Sequence, residues 1–149
     1  KNIYFIGNGG SAATASHFAN DLAIGTRSKI LPFRAMSLTD NTSVITAIGN
    51  DFGYEQVFVK QLEAVFNKDD LLVAISASGN SPNILRAVEY VKANGGIAIG
   101  LTGFDGGKLG EILDHVIHVP TDKCDYGPVE DIHMVLDHVN WNLLNAGVS

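Results

Sequence analysis

Residues 71–82 read Leu-Leu-Val-Ala-Ile-Ser-Ala-Ser-Gly-Asn-Ser-Pro and join two elements of regular structure. The apolar run Leu71 to Ile75 predicts a strand that is buried on both faces, as strands of a parallel sheet are. Pro82 suits the first position of a helix, and Ser81 before it suits the N-cap. The stretch therefore predicts a buried strand, a polar turn and a helix.

The turn between these elements carries three hydroxyl groups, those of Ser76, Ser78 and Ser81, and one glycine, Gly79. Free backbone N–H groups and the helix dipole favour an anion at the start of a helix. One interpretation is thus a phosphate-binding loop. The other is a polar turn with a serine cap, and on this stretch alone both remain open.

Strands alternate with helices along the whole chain. Strands are expected at 3–6, 33–38, 71–75, 97–101 and 115–119, and helices at 12–24, 42–48, 54–66, 82–93 and 129–144, with a short helix after 107. Such alternation is typical of an α/β fold in which a central parallel sheet lies between two helical layers. We expect one doubly wound domain over 1–149, with ligands at the carboxyl ends of the strands.

A second glycine-rich turn, Gly7-Asn-Gly-Gly-Ser11, follows the first expected strand. Glycine lets the backbone approach a ligand closely. The turn lacks the Gly-Lys-Ser/Thr ending of a P-loop and the glycine spacing of a dinucleotide fingerprint. A nucleotide cofactor is therefore not expected.

Composition excludes several classes of protein. The 149 residues carry a net charge of −6, which argues against general nucleic-acid binding. No apolar run approaches the ~20 residues that a membrane span needs, and the single cysteine, Cys124, cannot form an internal disulfide. A reducing, cytoplasmic location is expected. Because the chain begins inside a strand, we also expect a segment upstream of Lys1.

Polar side chains at three places in the sequence allow either a chemical or a structural interpretation. His17 and Asp21 lie four residues apart on a helix and so share a face. They suit a metal site or an acid–base pair, or they form an ordinary surface pair. In the last helix, His133 is interpreted as a surface or packed residue. Asn50-Asp51 is interpreted as a helix stop followed by a new N-cap.

Five motifs together resemble a known family. They are Gly7-Asn-Gly-Gly-Ser11, His17-Phe-Ala-Asn-Asp21, Gly49-Asn-Asp51, Ile75-Ser-Ala-Ser-Gly-Asn-Ser81 and Leu101-Thr-Gly-Phe-Asp-Gly-Gly107. The combination is similar to the sugar isomerase (SIS) domain and, more narrowly, to the phosphoheptose isomerases. The resemblance covers nearly the whole chain. It implies an additional N-terminal helical segment, a homotetramer with sites near subunit interfaces, and a zinc ion.

The resemblance also implies roles for individual residues. The phosphate would be bound by Ser76, Ala77, Ser78 and Ser81, with Ala77 where a threonine is usual. The sugar hydroxyls would be bound by Asn8, Gly9, Gly10, Ser11, Asn50, Asp51 and Glu130. The zinc ligands would be His17, Asp21, Glu130 and His138, with Asp21 for a glutamate and Glu130 for a glutamine. Asp21 would be the catalytic base and His138 its acid–base partner.

The implied reaction converts sedoheptulose 7-phosphate to glycero-manno-heptose 7-phosphate through an enediol, for surface-polysaccharide precursors. The alternatives are a non-catalytic regulator that binds a sugar phosphate or a protein, and an isomerase of another sugar phosphate. One tension concerns Glu130 and His138, which are eight residues, or roughly 12 Å, apart along a helix. Either the helix begins after Glu130, or neighbouring subunits complete each site.

Overall fold

A computed structural model describes residues 1–26 and 32–146 of the chain. The strands are β1 (Asn2–Gly7), β2 (Arg34–Ser37), β3 (Leu71–Ser76), β4 (Ile97–Phe104) and β5 (His115–Pro120). The α-helices are α1 (Gly10–Asn20), α2 (Thr42–Phe52), α3 (Val59–Val65), α4 (Pro82–Ala93), α5 (Gly107–Ile112) and α6 (Tyr126–Ala146). A π-helical turn, Asp21–Gly25, continues α1, and a 3₁₀ turn, Tyr54–Gln56, precedes α3.

The five strands form one parallel sheet in the order β2-β1-β3-β4-β5. The chain leaves β1 toward β2 on one side and leaves β3 toward β4 on the other. The loops after these two neighbouring strands therefore diverge and open a crevice at the carboxyl edge of the sheet. The predicted doubly wound α/β fold is confirmed, and both glycine- and serine-rich turns lie at this crevice.

Apolar side chains on the two faces of the sheet form separate clusters. On β1, Tyr4 and Ile6 point into the cluster that contacts α3 and α4, while Phe5 points into the opposite cluster with Phe18 of α1. The Phe5 and Phe18 rings stack with centroids 5.5 Å apart. This alternation is what places one helical layer on each face of the sheet. In β3, Leu72, Ala74 and Ile75 are fully buried, whereas Leu71 and Val73 are only half-buried, so the predicted burial on both faces is confirmed only in part.

The second helix begins at the predicted residue and extends beyond its predicted end. Its N-cap is Asn41, whose side chain accepts a hydrogen bond from the Val44 N–H at 3.1 Å. The helix then continues through Gly49 to Phe52, and Gly53 with φ 91° follows it. The interpretation of Asn50-Asp51 as a helix stop is therefore wrong, because both residues belong to the last turn of α2. The predicted helix over 54–66 is divided into the 3₁₀ turn and α3.

The last helix begins at Tyr126, earlier than predicted. Glu130 and His138 therefore lie on the same continuous helix, which excludes the possibility that the helix begins after Glu130. The helix packs on β4 and α1 through Val129, His133 and Leu136. None of the described helices is long and apolar enough to cross a membrane.

The imidazole of His133 is part of the packing between α6 and the sheet. It is 1% exposed, and its Nε2 lies 3.2 Å from the Thr102 carbonyl oxygen of β4. The packed alternative foreseen for this residue is confirmed. Burial lowers the pKa of His133, and the Thr102 carbonyl opposes that change only in part.

This burial predicts acid sensitivity. Below about pH 6.5, His133 is protonated in the unfolded chain, whereas burial opposes its protonation in the folded chain. The free energy of unfolding therefore decreases as the pH is lowered. Relative to H133Q, the wild type should lose up to about 1.4 kcal/mol per pH unit over the interval between the two pKa values. Urea unfolding from pH 7.5 to 5 measures the difference. H115Q, at an exposed histidine, should show the wild-type dependence, and an equal dependence in H133Q would contradict the prediction.

Candidate active site

A cavity of about 300 Å³ lies in the crevice between the loops after β1 and β3. Its third wall is the first turn and a half of α6. The lining residues are Asn8, Gly9, Gly10, Ser11, Ile75, Ser76, Ala77, Ser78, Ser81, Tyr126 and Glu130. The structure thus brings both predicted ligand-binding loops, and Glu130, to one pocket.

Backbone hydrogen bonds fix the loop between β3 and α4, residues 76–81, which we call the serine loop. The Gly79 N–H donates to the Ser76 carbonyl oxygen at 3.1 Å, and the Leu109 N–H of α5 donates to the Gly79 carbonyl oxygen at 2.8 Å. Gly79 has φ 60°, a conformation that glycine adopts without steric cost. A β-carbon at Gly79 would overlap the Gly106 carbonyl oxygen. The loop geometry therefore requires glycine at this position.

Ser81 stands at the N-cap position of α4, but its side chain makes no capping hydrogen bond. Ser81 instead lines the pocket together with Ser76 and Ser78. The interpretation as a merely structural serine cap therefore loses its physical basis. Three serines and the start of a twelve-residue helix lie at one cavity, which is an arrangement suited to a phosphate.

The Asn8 side chain connects the two walls of the crevice. Its Nδ2 donates to Asn83 Oδ1 at 3.0 Å, and Asn83 Nδ2 donates back to Asn8 Oδ1 at 2.9 Å. The Tyr54 hydroxyl donates to the same Asn8 oxygen at 2.9 Å. Because an amide nitrogen has two hydrogens, Asn8 keeps one N–H for a ligand.

Tyr126 and Glu130 are the contributions of α6 to the pocket. The Glu130 carboxylate lies directly against Gly10, where a β-carbon would leave it no room. The Tyr126 ring packs edge-on against Phe104 with centroids 4.9 Å apart. Tyr126 was not predicted as a site residue, because the last helix was expected to begin only at Val129, whereas Tyr126 lies in the first turn of α6.

A second group of polar side chains lies between α1 and α6. It consists of His17, Asp21, Asp137 and His138, whose potential ligand atoms all lie within 4.8 Å of one another. The His17 Nε2 atom is 3.2 Å from His138 Nε2, 3.7 Å from Asp21 Oδ2 and 3.5 Å from Asp137 Oδ2. The i,i+4 pair predicted on α1 is therefore joined by two residues of α6. Glu130 is not in this group, and Asp137 is.

Asp137 is buried within this group. Burial raises the pKa of Asp137 to about 6, the Asp21 carboxylate also raises it, and the imidazoles of His17 and His138 oppose both effects. The spacing of residues in the sequence indicates that Asp137 is buried. Val129, His133 and Asp137 recur every four residues and so share the buried face of α6. A carboxylate at such a position needs partners.

The pocket and the four-residue group lie at different positions along the same two helices, α1 and α6. Gly10 contacts Glu130 at the beginning of both helices, and His17 contacts His138 farther along. The helices therefore run side by side in the same direction. Seven residues separate Gly10 from His17, or about 10.5 Å along α1. Asn50 and Asp51 are exposed at the end of α2 and do not line the pocket.

Comparison with known proteins identifies the family. Residues 1–103 match the SIS domain. The chain is 41% identical over 149 residues to the phosphoheptose isomerase of Aliarcobacter butzleri, covering 100% of this chain and 78% of that protein. The chain belongs to the phosphoheptose isomerase family of SIS-domain proteins.

Solved structures of phosphoheptose isomerases share the fold. The enzyme GmhA of Neisseria gonorrhoeae superimposes with a TM-score of 0.87 at 38% identity, over 97% of this chain and 76% of that one. The phosphoheptose isomerase of Francisella tularensis gives a TM-score of 0.89 at 34% identity, with the same coverage. The resemblance inferred from the five motifs is thereby confirmed, and the pocket belongs to a phosphoheptose isomerase fold.

Proposed function

We propose that this protein is an aldose–ketose isomerase that interconverts sedoheptulose 7-phosphate and glycero-manno-heptose 7-phosphate. The observation that carries the proposal is the parallel packing of α1 and α6. The serine-lined pocket lies at the beginning of these two helices, and the group of carboxylates and imidazoles around His17 lies about two turns farther along them. An isomerase of a phosphorylated sugar needs both, one to hold the phosphate and the other to move protons.

The serine loop would bind the phosphate. Hydroxyls of Ser76, Ser78 and Ser81 donate to its oxygens, and the positive end of the α4 dipole adds to the attraction. Ala77 offers no hydroxyl. The sugar hydroxyls can donate to the Glu130 carboxylate and accept from the remaining Asn8 N–H. Binding energy from this end would orient the reacting carbons.

Asp21 and His138 would carry the proton transfers. Isomerisation moves a proton between C1 and C2, so a base must reach one carbon and a second group must handle the oxygen protons. The Asp21 carboxylate is the base in this assignment, and the His138 imidazole exchanges the oxygen protons. His17 lies between them and keeps both side chains oriented.

The group around His17 also fits a zinc ion. It offers two imidazole nitrogens and carboxylate oxygens, which are ordinary zinc donors. One of them, Asp137 Oδ2, is buried without a hydrogen-bond partner among the described residues. Zinc bound there would polarise the sugar carbonyl and stabilise negative charge on oxygen.

We further propose a homotetramer that acts in the cytoplasm on precursors of surface polysaccharides, in which residues 1–149 form one SIS domain. Exposed apolar side chains on one face of α6 support self-association. They are Ile132, Val135, Val139 and Leu143, and their spacing of three and four residues makes them one stripe. A neighbouring copy on this stripe would lie close to both the pocket and the group around His17.

The phosphate assignment predicts a specific effect of S78A. A hydrogen bond to a charged group contributes about 1.5–3 kcal/mol, so KM for the heptose phosphate should rise roughly 10- to 100-fold while kcat changes little. Steady-state kinetics measure both constants. S43A, at an exposed serine of α2, should behave as wild type. A lower melting temperature with unaltered KM would show that Ser78 is only structural.

The proposed activity is tested directly with sedoheptulose 7-phosphate. The protein is incubated with this substrate after chelator treatment, with and without added Zn²⁺, and the aldose is followed by NMR. Formation of the heptose aldose is expected. Turnover of a pentose 5-phosphate in its place would reassign the substrate, and binding without any turnover would identify a regulator.

A further inference from the structure

We infer that Asp137 is a direct ligand of the divalent cation, so that His17, Asp21, Asp137 and His138 form a complete site within one chain. The inference rests on the zinc part of the proposed function and is independent of the sugar. It differs from the ligand set implied by the family resemblance, in which Glu130 takes the fourth place.

Burial makes Asp137 the residue that most needs a cation. The residue is 1% exposed, and its Oδ2 finds no hydrogen-bond donor among the described residues. Within 1–26 and 32–146, no lysine or arginine forms an ion pair with it. The nearest ionisable nitrogen, His17 Nε2, lies 3.5 Å from this oxygen, and a buried carboxylate oxygen without a hydrogen-bond donor is unfavourable. A bound cation at the centre of the group would remove this cost.

The two histidines are arranged as a pair of ligands would be. Their Nε2 atoms lie only 3.2 Å apart, with the ring planes at 77° to each other. Asp137 Oδ2 and Asp21 Oδ2 both lie within 4 Å of the His17 nitrogen. Two nitrogens and two oxygens from opposite sides therefore converge on one small volume, and this donor set is common for zinc.

Glu130 is placed where it cannot join this group in the same chain. Its carboxylate rests on Gly10 in the wall of the pocket, about two turns of α6 before His138. Asp137 is adjacent to His138 and packs toward α1. Two carboxylates of α6 therefore lie in different places: Glu130 lines the pocket, and Asp137 belongs to the group formed with His17, Asp21 and His138.

Zinc affinity in matched variants tests the inference. Competition with a chromogenic chelator gives Kd for wild type, D137N, D137A and E130A, and thermal unfolding with and without Zn²⁺ gives an independent readout. Loss of even an outer-shell partner weakens metal binding about 10- to 100-fold. We therefore expect D137N and D137A to bind zinc roughly 100-fold more weakly and to lose the zinc-dependent rise in Tm. E130A, which removes every ligand atom from position 130, should retain both.

Visible spectra of the Co²⁺-loaded proteins report the ligands directly. The bands should change in the Asp137 variants and stay unaltered in E130A. Wild-type affinity in D137A, or a loss of affinity in E130A, overturns the inference. If neither Asp137 variant folds, the E130A result still decides between the two ligand sets. Zinc-independent isomerase activity in a wild type that binds no zinc would overturn the inference while leaving the proposed reaction intact.

Discussion

D21N should lower kcat for the heptose phosphate by about 10²- to 10⁴-fold, the usual contribution of a general base. The amide cannot accept the carbon-bound proton, but it preserves the size of the side chain. KM should change little, because the phosphate is bound by the serine loop about two helical turns away. Single-turnover NMR in deuterated water measures both product formation and exchange of the transferred proton.

Two comparisons make the D21N result specific. H138Q should show a loss of similar size, because it removes the partner that exchanges the oxygen protons. D131N, at an exposed aspartate of α6, should leave kcat unchanged. Zinc content is measured in each variant, since Asp21 belongs to the cation group. Full activity in metal-loaded D21N would remove Asp21 from the catalytic assignment.

G79A should destabilise the protein by more than about 2 kcal/mol. A left-handed backbone conformation costs roughly 1–2 kcal/mol in a non-glycine residue, and the added β-carbon would also overlap the Gly106 carbonyl oxygen. The loop would have to move away from α5, so KM should rise as stability falls. Urea unfolding and steady-state kinetics measure the two effects.

G49A provides the opposite-sign control. Gly49 lies in the interior of α2, and an added β-carbon would meet no atom within 4 Å. Alanine there should stabilise the protein by about 0.5–1 kcal/mol, because it restricts the unfolded chain and favours helix. A G79A variant that is as stable as wild type would mean that the loop conformation does not require glycine at position 79.

Much of the fold follows from local patterns in the sequence. The apolar run at 71–75 and the sequence Ser81-Pro82 predict the end of β3 and the start of α4 correctly. Those signals are local, because strand burial and helix capping depend on neighbouring residues. The end of α2 was mispredicted because Gly49 and Asn50 resemble a helix terminus, whereas the helix continues to Phe52. Intrinsic propensity is a weak guide at such positions.

The individual turns and residues of the site could be predicted from the sequence, but the contacts that bring them together could not. The turn residues Asn8–Ser11 and Ser76–Ser81 meet because strands β1 and β3 are neighbours, which alternation of strands and helices suggests but does not fix. The proximity of Asp137 to His17 depends on how α6 packs against α1. That arrangement involves contacts between residues 120 positions apart, and no local pattern encodes it.

The reciprocal amide pair of Asn8 and Asn83 has a consequence for how a ligand is received. Together with the Tyr54 hydroxyl, it joins both walls of the crevice. Hydrogen bonds within the protein thus fix the crevice, and a sugar phosphate that binds there would lose little conformational entropy in ordering it. More of the intrinsic binding energy remains to align the distant end of the molecule. Selectivity then depends on whether a sugar of given length can extend from the fixed crevice to the reacting groups.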